Sequence, residues 1–305
     1  MSSSTPNKVP SSPPASPFKL ALCQTPVTLD KEENIAVARD YLMRAAAAGA
    51  SLAVLPECFN CPYDTACFRE YAEELPAVGF KPTEDHSSPS LKMLRQTAQE
   101  TKMFIVGGSV PEIANDGNIY NSSLSVSPDG TVVAKHRKAH LFDIDVPGGI
   151  RFKESDVLSP GGSATAFFAP EIDCTVGVGI CYDVRFPELA MLQARELGAK
   201  VLVFPGAFNM TTGPAHWELL LRGRALDNQV FVAACSPSRS EGGDGYTAWG
   251  HSMVVDPWGT VLASADEKPA LVVTTIDLGR LDTVRKSIPT SQQRREDIYR
   301  LQSVP

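Results

Sequence analysis

Along the chain, short apolar runs alternate with stretches whose apolar residues recur every three or four positions, and this alternation sets the predicted elements. Phe18–Cys23 and Ser51–Leu55 read as buried strands, and Asn34–Ala48 between them has helical spacing closed by Gly49. Ser90–Lys102 reads as a second helix, Phe104–Ser109 as a third strand, and Ser123–Lys135 as a hairpin around Pro128-Asp129-Gly130. The order then repeats. Strand Thr175–Cys181, helix Pro187–Leu197, strand Lys200–Phe204, helix Ala215–Asp227, strand Val230–Cys235 and hairpin Gly250–Ala263 match the first half element by element.

Two β-α-β-α-β-hairpin halves imply one mixed sheet per half, with both helices of a half on one face. The bare faces are covered most economically by packing the two sheets on each other. The expected fold class is therefore α/β, an α-β-β-α sandwich of two pseudo-symmetric halves. The strands leading to Glu57 and Cys181 then end at one rim, which puts a carboxylate and a thiol in one pocket. A single domain is expected over residues 18–282. Residues 1–17 are rich in Ser and Pro, lack periodic apolar positions, and are expected to form a disordered tail. Residues 283–305, polar and basic, are expected to lie on the domain's own flank or on a partner subunit.

With 305 residues, 43% of them hydrophobic, the chain is long enough to bury a sizeable core. A net charge of −7 argues against nucleic-acid and anionic-membrane partners and leaves a small-molecule substrate as the better fit. No apolar run reaches the roughly 18 residues of a bilayer span and no secretory apolar segment leads the chain, so a cytoplasmic protein is expected. Seven cysteines at irregular spacings read as reduced thiols. Cys58-Phe-Asn-Cys61 lacks the second ligand pair that zinc sites normally show. Asn121-Ser-Ser and Asn209-Met-Thr match a glycosylation pattern that is idle in the cytosol.

Candidate chemistry centres on Thr175–Leu189, where a glycine-spaced apolar run stops at Cys181, polar Tyr182, Asp183 and Arg185 follow, and a helix opens at Pro187. An isolated strand cysteine is usually a small core residue. The polar residues after Cys181 instead put it on a strand-to-helix turn at a sheet's carboxyl edge, where a nucleophile can sit. A thiol of pKa about 8.5 needs a base or a neighbouring cation. Of His86, His136, His140, His216 and His251, none follows an apolar strand as Glu57 does, although His136 and His140 stay open as bases. Glu57, pinned by Pro56, is the alternative base. Lys138, in Lys135-His-Arg-Lys138, could favour thiolate and hold an oxyanion. Taken alone, each of these two also fits a solvated surface charge.

Together, Leu52-Ala-Val-Leu-Pro-Glu57, Lys135-His-Arg-Lys138 and Gly179-Ile-Cys-Tyr-Asp-Val-Arg-Phe-Pro-Glu188 resemble, in order, the Glu-Lys-Cys motifs of the nitrilase (carbon–nitrogen hydrolase) superfamily. The likeness runs from about Phe18 to Tyr299. It implies the same sandwich, Cys181 as nucleophile, Glu57 as general base, Lys138 as oxyanion stabiliser, and no cofactor or metal. It also implies a second glutamate that orients Lys138, and Glu154 in Phe152-Lys-Glu-Ser155 stands at that position. The Tyr182 backbone N–H would assist Lys138 at the oxyanion.

The segments Cys58–Tyr63, His140–Gly148 and Phe208–Glu218 are similar to the branch that removes the terminal amide of 2-oxo dicarboxylate monoamides, such as 2-oxoglutaramate and 2-oxosuccinamate. A branch acting on deaminated glutathione shares much of that motif set. A catalytically idle interaction module on the same sandwich is the reading from another class; intact Glu57, Lys138, Glu154 and Cys181 speak against it. A substrate with a carboxylate at its far end needs a cation, and Arg185 is expected to supply it. The structural alternative is an ion pair from Arg185 to Asp183 or Glu188. The likeness further implies a homodimer or higher homo-oligomer.

Overall fold

The computed structural model describes residues 16–81, 83–148, 150–240 and 246–304. The tail expected over residues 1–17 therefore lies almost wholly outside the described residues. The strands are β1 (Phe18–Gln24), β2 (Ala50–Val54), β3 (Phe104–Val106), β4 (Val110–Ile113), β5 (Ile119–Val126), β6 (Val132–Arg137), β7 (Asp143–Asp145) and β8 (Arg151–Lys153) in the first half. The second half adds β9 (Thr165–Ala169), β10 (Cys174–Val178), β11 (Val201–Pro205), β12 (Phe231–Cys235), β13 (Met253–Val255), β14 (Val261–Ser264) and β15 (Ala270–Ile276). Helices α1 (Lys31–Ala47), α2 (Phe68–Tyr71), α3 (Pro89–Thr101), α4 (Pro187–Arg195), α5 (Gly213–Asn228) and α6 (Gly279–Ser287) complete the chain.

One sheet runs β15-β1-β2-β3-β5-β4, with β6 also on β5, and the other runs β14-β13-β12-β11-β10-β9. Parallel strands β1, β2 and β3 are matched by parallel β10, β11 and β12, with antiparallel strands outside each trio. This is the expected α-β-β-α sandwich. Alternation along each strand builds its layers. Leu20, Leu22, Leu52 and Val54 face Val176, Val178, Val201 and Val203 between the sheets. The intervening Ala21, Ala53 and Leu55 pack on Leu42, Ala45 and Leu94 of α1 and α3. Leu202 and Phe204 pack likewise on Trp217 and Leu221 of α5. Each fully buried aliphatic contributes about 1.5–3 kcal/mol, so the strand faces rather than helix propensity hold the register.

The structure departs from the sequence-based elements in several places. The strand read as far as Cys181 ends at Val178, and Cys181 opens a 3₁₀ turn, Cys181–Arg185. Strands β4, β7, β8 and β9 and helices α2 and α6 were not expected. Nor was β15, which runs antiparallel to β1 from Phe18↔Ile276 to Gln24↔Ala270, so the last strand of the chain completes the first half's sheet. Helix α6 crosses residue 282 and buries Leu281 and Val284. Beyond it the C-terminal segment lies along α4, where the Ser303 hydroxyl donates to Glu196 Oε2 at 2.8 Å. A cavity of about 860 Å³ separates the two; none of Glu57, Lys138 or Cys181 lines it. Among the described residues no helix is long and apolar enough to cross a membrane.

Candidate active site

The first residues of the site leave the sheet at the carboxyl end of β2. Pro56 turns the chain to Glu57, and the bend is held by Gly108 (φ +56°), where a Cβ would meet Pro56 O at 2.1 Å. Only glycine fits a position that is both left-handed and that crowded. Glu57 is buried, and both its oxygens are engaged. Oε1 accepts from Asn121 Nδ2 at 2.8 Å and Lys138 Nζ at 3.0 Å, and Oε2 accepts from the Ala207 N–H at 2.8 Å.

Lys138 follows β6, and its N–H donates to Asn121 O at 2.8 Å. Its side chain is wholly inaccessible, so it persists as a cation only if carboxylates surround it. Nζ donates to Glu57 and also to Glu154 Oε1 at 2.9 Å. Burial works against the ammonium, but the Glu154 and Glu57 carboxylates outweigh it and hold the lysine well above its ordinary pKa. Glu154 is fixed in turn: Oε1 accepts from the Tyr63 hydroxyl and Oε2 from the Phe142 N–H, both at 2.6 Å. The run Lys135–Lys138 is not a solvated basic face. Its other members bind buried acids, Lys135 and Arg137 at Glu112 and His136 at Asp183.

Cys181 sits with φ +45°, a left-handed conformation that non-glycine residues occupy only when their surroundings enforce it. Opposite it, Gly206 allows the chain after β11 to come close; a Cβ there would stand 3.2 Å from Cys181 Cα and 3.3 Å from the Trp217 ring. The thiol faces the Glu57 carboxylate and the Ala207 N–H. Burial first, and the Glu57 charge second, push the thiol well above its ordinary pKa, so the resting sulfur carries its proton. Burial likewise raises Glu57, against the pull of Lys138.

His136 and His140, left open above as bases for the thiol, are directed elsewhere. Both bind Asp183, two residues after Cys181: His136 Nε2 to Oδ2 at 2.9 Å, His140 Nδ1 to Oδ1 at 2.7 Å. Asp183 also accepts from the N–H groups of Ile180 and His140, each at 2.9 Å. Burial opposes its charge, but the two histidines and these donors hold it far below the usual carboxylate range. Arg185 consequently has no ion pair with Asp183, and none with Glu188 or any other carboxylate among the described residues. Its guanidinium lies over the rings of Phe208 (4.8 Å) and Tyr182 (5.5 Å), and Nη1 meets His216 Nδ1 at 3.2 Å. Its buried Nε has no hydrogen-bond partner. Tyr182 packs edge-on against Phe142 and Phe186.

The structure thus brings together Glu57, Lys138, Glu154 and Cys181, with Tyr182 and Arg185 on the same turn. It adds residues that sequence reasoning passed over. Asn121 and Asn209, noted only for a glycosylation pattern, are buried. The first binds Glu57; the second accepts from the N–H groups of Thr211 and Thr212, both at 2.9 Å, at the start of α5. Tyr63 and Tyr246 pack beside these groups with ring centroids 4.6 Å apart, and the Tyr246 hydroxyl donates to Ala207 O. The Ser122↔Arg137 pairing of β5 with β6 sets Asn121 beside Lys138, a placement that the sequence alone does not give. Cys58 and Cys61 are buried, and no group of three or more His, Cys, Asp or Glu residues suited to a metal occurs among the described residues.

A protonated thiol beside a carboxylate and a caged ammonium, at the rim of two stacked sheets, is the equipment of a thiol-dependent hydrolase of carbon–nitrogen bonds. Residues 19–286 match the family described as carbon-nitrogen hydrolase, and the chain belongs to that family. It is 50% identical over 289 residues to the omega-amidase NIT2 of Danio rerio, covering 95% of this chain and 99% of that protein. To the omega-amidase NIT2 of Homo sapiens it is 49% identical over 282 residues, 92% of this chain and 96% of the other. Its fold is similar to the crystal structure of Saccharomyces cerevisiae Nit3, a member of branch 10 of the nitrilase superfamily, with TM-score 0.82 and 41% identity over 93% of this chain and 99% of that one.

Proposed function

We propose that this carbon–nitrogen hydrolase is an omega-amidase, which converts 2-oxo dicarboxylate monoamides such as 2-oxoglutaramate and 2-oxosuccinamate to the dicarboxylate and ammonia. Arg185 is the observation that carries the substrate class. The Arg185 guanidinium on the Cys181 turn has no carboxylate partner among the described residues, and the free carboxylate of a monoamide would supply one. The identity to relatives named omega-amidase supports the same reading.

In this proposal Cys181 Sγ attacks the amide carbon while its proton passes to Glu57. Lys138 and the Tyr182 backbone N–H hold the oxyanion. Glu57 then protonates the departing ammonia, leaving a thioester, and activates the water that hydrolyses it. The high pKa of the resting thiol fits this order, because attack and proton transfer occur together and no free thiolate waits in the pocket. Glu154 keeps Lys138 aimed. The enzyme needs no cofactor or metal in this scheme. We take residues 18–282 as the catalytic domain of a cytoplasmic homodimer or higher homo-oligomer.

Specificity constants for 2-oxoglutaramate, 2-oxosuccinamate and deaminated glutathione, with Cys181→Ala as control, test the proposal. The two oxo-monoamides are expected to lead by at least about ten-fold, because they release ammonia and need no room for the dipeptide that deaminated glutathione carries on its amide nitrogen. A lead for deaminated glutathione would replace the proposal with that peptide-like amide. No hydrolysis of any of the three, read as ammonia from the oxo-monoamides and as released dipeptide from deaminated glutathione, would leave the idle module.

A further inference from the structure

Arg185 carries a long side chain with four rotatable bonds, and stacking on Phe208 and Tyr182 fixes the plane of its guanidinium more firmly than its rotation within that plane. One directional contact fixes the rotation: Nη1 meets His216 Nδ1 at 3.2 Å. Arginine nitrogens only donate, so Nδ1 must accept, and the ring must be neutral with its proton on Nε2. His216 itself is held from behind. It lies in the first turn of α5, where its N–H donates to Thr212 O at 2.8 Å, and Asn209 Oδ1 accepts from the N–H groups of Thr211 and Thr212 just before that turn.

We infer that His216 is the positioning residue for Arg185, its Nδ1 lone pair turning the guanidinium so that the remaining N–H groups meet the distal carboxylate of the substrate. The inference rests on the omega-amidase reading and deepens it. Nε has no protein partner, and Nη2 makes no hydrogen bond among the described residues. Nε and Nη2 form one edge of the guanidinium fork, the edge suited to a bidentate carboxylate. With Nη1 on His216, that edge has no hydrogen-bond partner among the described residues, its Nε being buried. With the imidazole gone, the cation remains but must be ordered by the substrate itself, which weakens binding without touching the reacting atoms.

Steady-state kinetics of the full-length enzyme with 2-oxoglutaramate test this with four proteins: His216→Ala, His216→Asn, Arg185→Met and the double variant His216→Ala/Arg185→Met. His216→Ala is expected to raise KM about three- to ten-fold while kcat stays within about two-fold. His216→Asn, whose Oδ1 offers a lone pair close to where Nδ1 stood, should restore most of the loss. In the double variant the histidine change should add nothing to the effect of Arg185→Met, since its action passes through the arginine. The inference is overturned if Arg185→Met raises KM and His216→Ala does not, if the histidine effect falls on kcat, or if the two changes add in full. An unchanged KM in Arg185→Met overturns the carboxylate reading of Arg185 itself, and the role of His216 falls with it.

Discussion

His136 Nε2 and Asp183 Oδ2 meet at 2.9 Å, tying the strand that delivers Lys138 to the turn that carries Cys181. His136 belongs to the first half of the sandwich and Asp183 to the second, and both are wholly buried. Their contact, with His140 on the other Asp183 oxygen, fixes the spacing of ammonium and thiol across the seam. It also accounts for a strained Cys181 backbone, because Asp183 accepts from Ile180 N on the near side of the turn.

Removing that charge is therefore a test of the clamp. Asp183→Asn should destabilise the protein by about 3–5 kcal/mol at neutral pH, the usual cost of breaking a buried charged contact. The folded pKa of Asp183 is depressed, so its stabilisation is fully present above the unfolded value of about 3.9 and is lost as pH falls from there towards the folded value. Urea unfolding of both proteins across that range should show the gap closing on acidification; a gap independent of pH would contradict the charge argument.

Glu154→Gln keeps the size of the side chain and removes its charge from Lys138. A fall in kcat of about two orders of magnitude is expected, comparable to the loss of an oxyanion donor, with a smaller change in KM. Tyr63→Phe removes one neutral donor from the same oxygen and should cost less than about ten-fold. Equal losses in the two variants would mean that packing, rather than charge, sets the lysine.

The acid limb of the kcat/KM profile should report Glu57, which must be ionised to accept the thiol proton. Its pKa is raised, by burial above all, so activity should be lost on acidification at a pH above the free-glutamate value of about 4.3. Lys138 is held well above its ordinary pKa and should produce no limb near neutrality. Glu57→Gln should lower kcat at least about a hundred-fold and remove the acid limb; a limb that survives this change belongs to another group.

The parts of this molecule that follow local rules were legible in its residues. Repeated apolar runs and helical spacings led to two matched halves, and the unpartnered sheet faces led to the sandwich. The end of β2 beside the end of β10 followed from that repeat. What local pattern does not carry is pairing across the chain. Strand β15 is drawn into the first half's sheet by β1, some 250 residues earlier in sequence, and β4 carries Pro111 and Glu112, which do not read as a strand locally. Lys138 and His136 looked like members of a solvated basic run because burial is decided by Glu57, Glu154 and Asp183 from other segments. Nor could local pattern show that Asp183 is taken by His136 and His140, which leaves Arg185 without an ion pair to it. Backbone donors such as the Ala207 N–H have no side-chain signature at all.

Rapid-quench mass spectrometry with 2-oxoglutaramate tests the central claim, that amide hydrolysis runs through a thioester at Cys181. An acyl adduct is expected on the peptide carrying Cys181 within the first turnover, alongside a matching release of ammonia, and Cys181→Ala should give neither. Substantial ammonia release from Cys181→Ala, or an adduct confined to another cysteine, would contradict it.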